Sequence, residues 1–119
     1  MTQKIDMETP DIVAYEFDEE LDKEDVEHVH DDLRQAMAES DSVRLFADVR
    51  NLSRVKPKAF IEDLKLTPEY LGDIERFAIV GDKRWQEGFT KVTDKLAKGK
   101  ARFFDPEHLD EAQAWVRAH

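Results

Sequence analysis

The sequence predicts a single-domain α/β fold, residues 1–119: a mixed, mostly parallel sheet of four to five strands flanked by four helices. Three observations point there. From residue 12 onward, strand-like and helix-like segments alternate, an order that requires right-handed crossovers between parallel strands. The segments LFADV (45–49) and ERFAIV (75–80) are short and almost wholly apolar, as parallel strands covered on both faces are. A length of 119 residues suits one domain with one core, burying roughly 60 to 70% of the unfolded chain's surface.

Each element has its own justification. Residues 4–8 alternate Ile5 and Met7 with polar neighbours and read as a short strand. Thr9-Pro10-Asp11 is a turn. Residues 12–17 form a better strand, with Val13, Tyr15 and Phe17 on one side, so the two segments predict an antiparallel hairpin. Asp22 supplies an N-cap oxygen with Asp25 at the third helical position. Val26, Val29, Leu33, Ala36 and Met37 then recur at helical spacing up to about Ser40. Residues 42–48 continue as an interior strand carrying Val43, Leu45 and Phe46.

Pro57 is tolerated in the first turn of the next helix, whose apolar face is Phe60, Ile61, Leu64 and Leu71; Pro68 should kink or split it. After the 75–80 strand, Trp85, Phe89, Val92 and Leu96 define an amphipathic helix ending at Gly99. Residues 101–104 make a last strand. Asp105 is expected to cap a final helix with Pro106 first and Leu109, Ala112, Trp115 and Val116 facing inward.

Composition narrows the function. Charged residues are 39% of the chain against about 25% in an average domain. The net charge of −10 speaks against nucleic acid and against anionic membrane surfaces as partners. A high-salt habitat is one source of such acidity, but the ten lysines favour a solubility effect. With no cysteine, neither a disulfide framework nor a thiolate metal site exists. The N-terminus lacks the apolar core of a signal peptide and no segment approaches a membrane span, so a soluble, cytoplasmic protein is expected.

The strongest site signal lies in the loops expected at the C-terminal ends of two neighbouring strands. They carry Arg50, Arg54, Lys56, Lys58, Lys83 and Arg84 in an acidic protein. Ligands of open α/β sheets bind at that edge, and free N–H groups at a helix start favour anions. The competing reading is that these cations only balance acids on adjacent helices, each exposed pair contributing about 0 to 1 kcal/mol. Asp82, in the turn after Gly81, joins the candidate site, although turn formation also explains it. Phe60, Leu64, Tyr70 and Trp85 would give apolar walls, with residues 66–70 as a flap. Phe77 and Phe89 extend the same apolar set; such stripes also serve simply as core.

Other chemistries fare worse. His28 and His30 are two residues apart and point to different sides of a helix, so no metal site is assigned. The carboxylates are dispersed, and Ser40, Ser42 and Ser53 lack a nucleophile elbow or a placed base. No catalytic residues and no cofactor are expected.

The runs DVRNLSRVKPKAFIEDLK (48–65), YLGDIERFAIVGDKRWQE (70–87) and ARFFDPEHLDEAQAWV (101–116) resemble the SpoIIAA-like branch of the STAS superfamily over essentially the whole chain. The resemblance implies a mixed sheet flanked by four helices, a fold related to the CRAL-TRIO lipid carriers, and binding of hydrophobic small molecules. It also exposes a departure. Anti-sigma-factor antagonists carry Asp-Ser-Ser-Gly at the start of the helix after the third strand, with a phosphorylated serine. This chain has Lys56-Pro57-Lys58-Ala59 there, so that phosphoserine switch is not expected.

Two functions follow as expectations. One is a non-enzymatic domain holding a hydrophobic or amphipathic, lipid-like ligand at the C-terminal edge of the parallel strands. Arg50, Lys58 and Lys83 would meet its polar head, beside Asp82, Phe60, Leu64, Tyr70 and Trp85. The alternative is a protein-interaction module in a regulatory pathway. Monomer and homodimer both stay open.

Overall fold

The computed structural model describes residues 3–19, 22–40, 43–52, 74–82 and 101–118. Among them the elements are β1 (Gln3–Lys4), β2 (Ile12–Glu16), α1 (Lys23–Glu39), β3 (Val43–Asp48), β4 (Ile74–Val80), β5 (Ala101–Phe104), a 3-10 turn (Pro106–His108) and α2 (Leu109–Arg117). The strands form one five-stranded sheet in the order β1-β2-β3-β4-β5. β1 is antiparallel to β2, and the other three pairings are parallel. Two of the four expected helices fall within residues 53–73 and 83–100, outside the described residues.

The pleat of the sheet separates two apolar clusters, because alternate side chains of a strand point to opposite faces. On one face Val13, Tyr15 and Phe17 of β2 and its continuation pack with Leu45, Phe77 and Ile79 against Val29, Leu33 and Ala36 of α1. On the other, Ile12, Ala14, Phe46, Ala78, Val80 and Phe104 pack against Ala112 and Val116 of α2, with Leu109 and Trp115 at its margin. β3 is central and buried along its whole length, including Arg44 and Asp48. Phe77, which the apolar stripe also offered as a cavity wall, is fully buried core.

Local chemistry sets the element ends. α1 starts on a reciprocal cap: the Asp25 N–H donates to the Asp22 carboxylate at 2.8 Å, and the Asp22 N–H donates back to Asp25 at 3.4 Å. Its last turn closes with the Ser40 N–H on the Ala36 carbonyl. The first strand is shorter than residues 4–8. Gln3 and Lys4 pair with Glu16 and Tyr15, and one further bond joins the Ile5 N–H to the Ala14 carbonyl. Beyond that the Asp6 carboxylate accepts the Glu8 N–H at 2.8 Å, and Glu8 turns to φ 66°, which no strand continues through.

The final helix also differs from expectation. One 3-10 turn precedes it, and the Asp105 side chain makes no capping bond; its carbonyl accepts the His108 N–H at 2.9 Å instead. Finally, a β-bulge interrupts the β3–β4 pairing between the Val43–Ile74 and Arg44–Arg76 pairs, so Glu75 is an extra residue on β4.

Candidate functional site

Parallel pairing puts the C-terminal ends of β2, β3, β4 and β5 on one edge, where Glu16, Asp48, Val80 and Phe104 stand in register. The ladder runs one residue further: the N–H groups of Phe17, Val49 and Gly81 donate to the carbonyls of Asp48, Val80 and Phe104. The chain then leaves β3 through Arg50 and β4 through Asp82, from adjacent strands. Arg50 and Asp82, two of the expected site residues, therefore follow the ends of adjacent strands.

Asp48 organises the centre of that rim. Its side chain is 3% exposed, and such a burial is costly for a carboxylate unless it is paired and hydrogen-bonded. Arg50 satisfies it three ways. Its Nε lies 3.0 Å from Oδ1, one terminal nitrogen lies 2.6 Å from Oδ2, and its backbone N–H donates to Oδ1 at 3.1 Å. The fork geometry of a guanidinium suits this arrangement and an ammonium would not reproduce it. The bond to Asp48 pushes the Arg50 pKa upward against the opposing effect of burial, so the group is a fixed cation. The Asn51 amide reaches Glu16 at 3.4 Å, tying the same loop to β2.

Acidic residues stand at or just after the four strand ends, Glu16, Asp48, Asp82 and Asp105, and the Arg50 guanidinium is held on Asp48. Arg50 and Asp82 are the candidate residues that the structure places, on neighbouring strand ends. Lys58, Phe60, Leu64, Tyr70, Lys83 and Trp85 lie outside the described residues, as do Arg54, Lys56 and Arg84. Sequence reasoning missed the role of Asp48. Its only signal is an acid two residues before Arg50 at the end of an apolar strand. A small cavity of about 240 Å³ opens beside the end of β5, lined by Arg102, Phe103, Phe104, Asp105, His108 and Glu111.

Elsewhere, Tyr15 and Asp32 join β2 to α1. The Tyr15 hydroxyl donates to the Asp32 carboxylate, which also pairs with Lys4 at 3.3 Å. Burial, and then the bond to this carboxylate, raise the Tyr15 pKa well above its ordinary value of 10.0, so the phenol stays protonated at neutral pH. Among the described residues no group of three or more His, Asp or Glu side chains is placed to hold a metal ion. No helix among them is long and apolar enough to cross a membrane.

Compared with known proteins, residues 12–117 match the profile of the SpoIIAA-like family. The chain belongs to the SpoIIAA-like family. A solved relative agrees: an uncharacterised protein of the DUF3478 family with a SpoIIAA-like fold, from Shewanella loihica PV-4, solved by crystallography at 2.25 Å. It is 27% identical, with a TM-score of 0.67 over 88% of this chain and 83% of that one. No curated protein matches. The SpoIIAA-like assignment agrees with the mixed five-stranded sheet packed with helices.

Proposed function

We propose that this SpoIIAA-like domain is a non-enzymatic, cytoplasmic binding domain. Its ligand is a small amphipathic, lipid-like molecule held at the C-terminal edge of the parallel strands. One observation carries the reading: β3 and β4 are adjacent and parallel, with Asp48 opposite Val80, so the loops entered through Arg50 and Asp82 start side by side. A ligand head between them meets a guanidinium already oriented by Asp48. Lys58 and Lys83 belong to the same two loops in sequence, and Phe60, Leu64, Tyr70 and Trp85 supply apolar surface for the tail.

The protonation of Arg50 supports binding rather than proton transfer. A cation raised further above its ordinary pKa neither gives nor takes a proton near neutrality. Native mass spectrometry of freshly purified protein tests the reading. An adduct that survives gentle ionisation and is released by denaturation is the expected result. A bare mass, together with a specifically captured protein partner, would replace it with an interaction module.

A further inference from the structure

We propose that Asp48 is a positioning residue for ligand binding, and that the head it selects is a singly charged carboxylate gripped by the outer edge of Arg50. The inference rests on the strand-end reading above and deepens it. A guanidinium offers paired N–H donors along its Nε–Nη2 edge and along its Nη1–Nη2 edge. Asp48 takes the first: Nε lies 3.0 and 3.1 Å from its two oxygens, and Nη2 lies 2.6 Å from Oδ2. Among the described residues no hydrogen bond or ion pair engages the second edge.

Stability alone is a poor account of this arrangement. The Asp48 side chain is 3% exposed and that of Arg50 is 36% exposed, so a buried acid serves a cation that reaches solvent. Burying a carboxylate is costly, and an uncharged side chain at the end of β3 would avoid that cost. What the acid provides is a fixed guanidinium. A long, flexible side chain is ordered before any ligand arrives, so less freedom is lost on binding.

Charge narrows the class of head. Asp48 offsets the charge of Arg50, and Glu16 is close enough to act on the same guanidinium. That field opposes a doubly charged phosphate more than a carboxylate. The two oxygens of a carboxylate also match the outer N–H pair.

The test is a backbone amide-shift titration of the isotope-labelled full chain with decanoate, in wild type, Asp48→Asn and Arg50→Lys. Circular dichroism checks that each variant folds. Coulomb attraction alone makes Asp48→Asn bind decanoate more tightly, because a negative charge beside the site is gone. Positioning makes it bind more weakly, by roughly fivefold or more. Arg50→Lys keeps the charge and loses the fork, and a similar weakening is expected. In wild type the Arg50 Nε–H signal should persist at saturation, since Asp48 keeps its hold. These last two readouts decide the question should Asp48→Asn fail to fold. Decyl phosphate should bind more weakly than decanoate.

Equal or tighter decanoate binding in Asp48→Asn would overturn this inference and leave the strand-end site standing. So would undiminished binding in Arg50→Lys, loss of the Nε–H signal on binding, or tighter binding of decyl phosphate. Absence of saturable decanoate binding to wild type would overturn both.

Discussion

Arg44 and Arg76 are direct partners across β3 and β4, and both donate to the last turn of the C-terminal helix. The Arg44 guanidinium reaches the Val116 carbonyl at 2.8 Å and that of Arg76 reaches the Trp115 carbonyl at 2.6 Å. Helix C-termini leave carbonyls without intrahelical partners and carry partial negative charge, so two cations from the sheet complete this helix end. Arg76 also lies over the Trp115 ring, 5.2 Å from its centroid. The bulge at Glu75 serves the same contact. It lets Ile74 join the α1 face while Glu75 stands 3.5 Å from Arg44 on the α2 face.

Arg44 is 2% exposed, whereas Glu75 is 37% exposed in its side chain. Arg44→Ala removes a buried, hydrogen-bonded charge and leaves a buried carbonyl unpartnered; a loss of roughly 3 kcal/mol or more is expected. Arg76→Ala, at a half-buried position, should cost about 1 to 2 kcal/mol. Urea unfolding measures both. The order of the two losses is the point at issue, and a larger loss at Arg76 would contradict the arrangement.

The Tyr15–Asp32 bond makes stability fall at high pH. The phenol pKa is raised in the folded state, so above pH 10 the unfolded chain releases a proton that the native chain keeps. Stability from this bond is fully present below the ordinary tyrosine pKa and is lost as pH rises beyond it. Wild-type unfolding free energy should fall more steeply than that of Tyr15→Phe above pH 10, and the two should run parallel between pH 7 and 9.

Much of this fold was legible in the sequence, for physical reasons that are local. The Asp22–Asp25 cap, the Val29–Leu33–Ala36 face and the apolar run of β3 depend on residues a few positions apart. What stayed hidden depends on partners far along the chain. Arg44 looks like a polar interruption of a strand until the α2 carbonyls come against it. The bulge at Glu75 has meaning only in register with β3. Arg50 was legible as a rim residue, but its anchoring needed Asp48 to be buried.

Glu8 is the one non-glycine residue at positive φ among those described. A side chain there is disfavoured by about 1 kcal/mol relative to glycine. Glu8→Gly should therefore be neutral or raise stability by up to about 1 kcal/mol, unusual for a change to glycine. Thermal unfolding reads this directly, and a loss above about 1 kcal/mol would mean that the side chain holds the turn through a contact absent from the structure.

Gly81 closes the rim of β4. A methyl group built there would stand 3.0 Å from Val49 Cγ2 and 3.4 Å from the Phe103 ring, both in packed surroundings. Gly81→Ala should destabilise by about 1 to 3 kcal/mol. It should also disturb the amide signals of Val49 and Arg50, checked by comparing backbone spectra.

The most direct test of the proposed function is an amide-shift titration with decanoate, whose carboxylate head and alkyl tail suit the cationic and apolar halves of the proposed strand-end site. Saturable perturbation is predicted at Val49, Arg50, Asn51, Leu52, Gly81 and Asp82, weakened at least tenfold in Arg50→Ala. Saturable binding that leaves these residues unmoved, or no binding at any accessible concentration of decanoate, would contradict a ligand site at the strand ends.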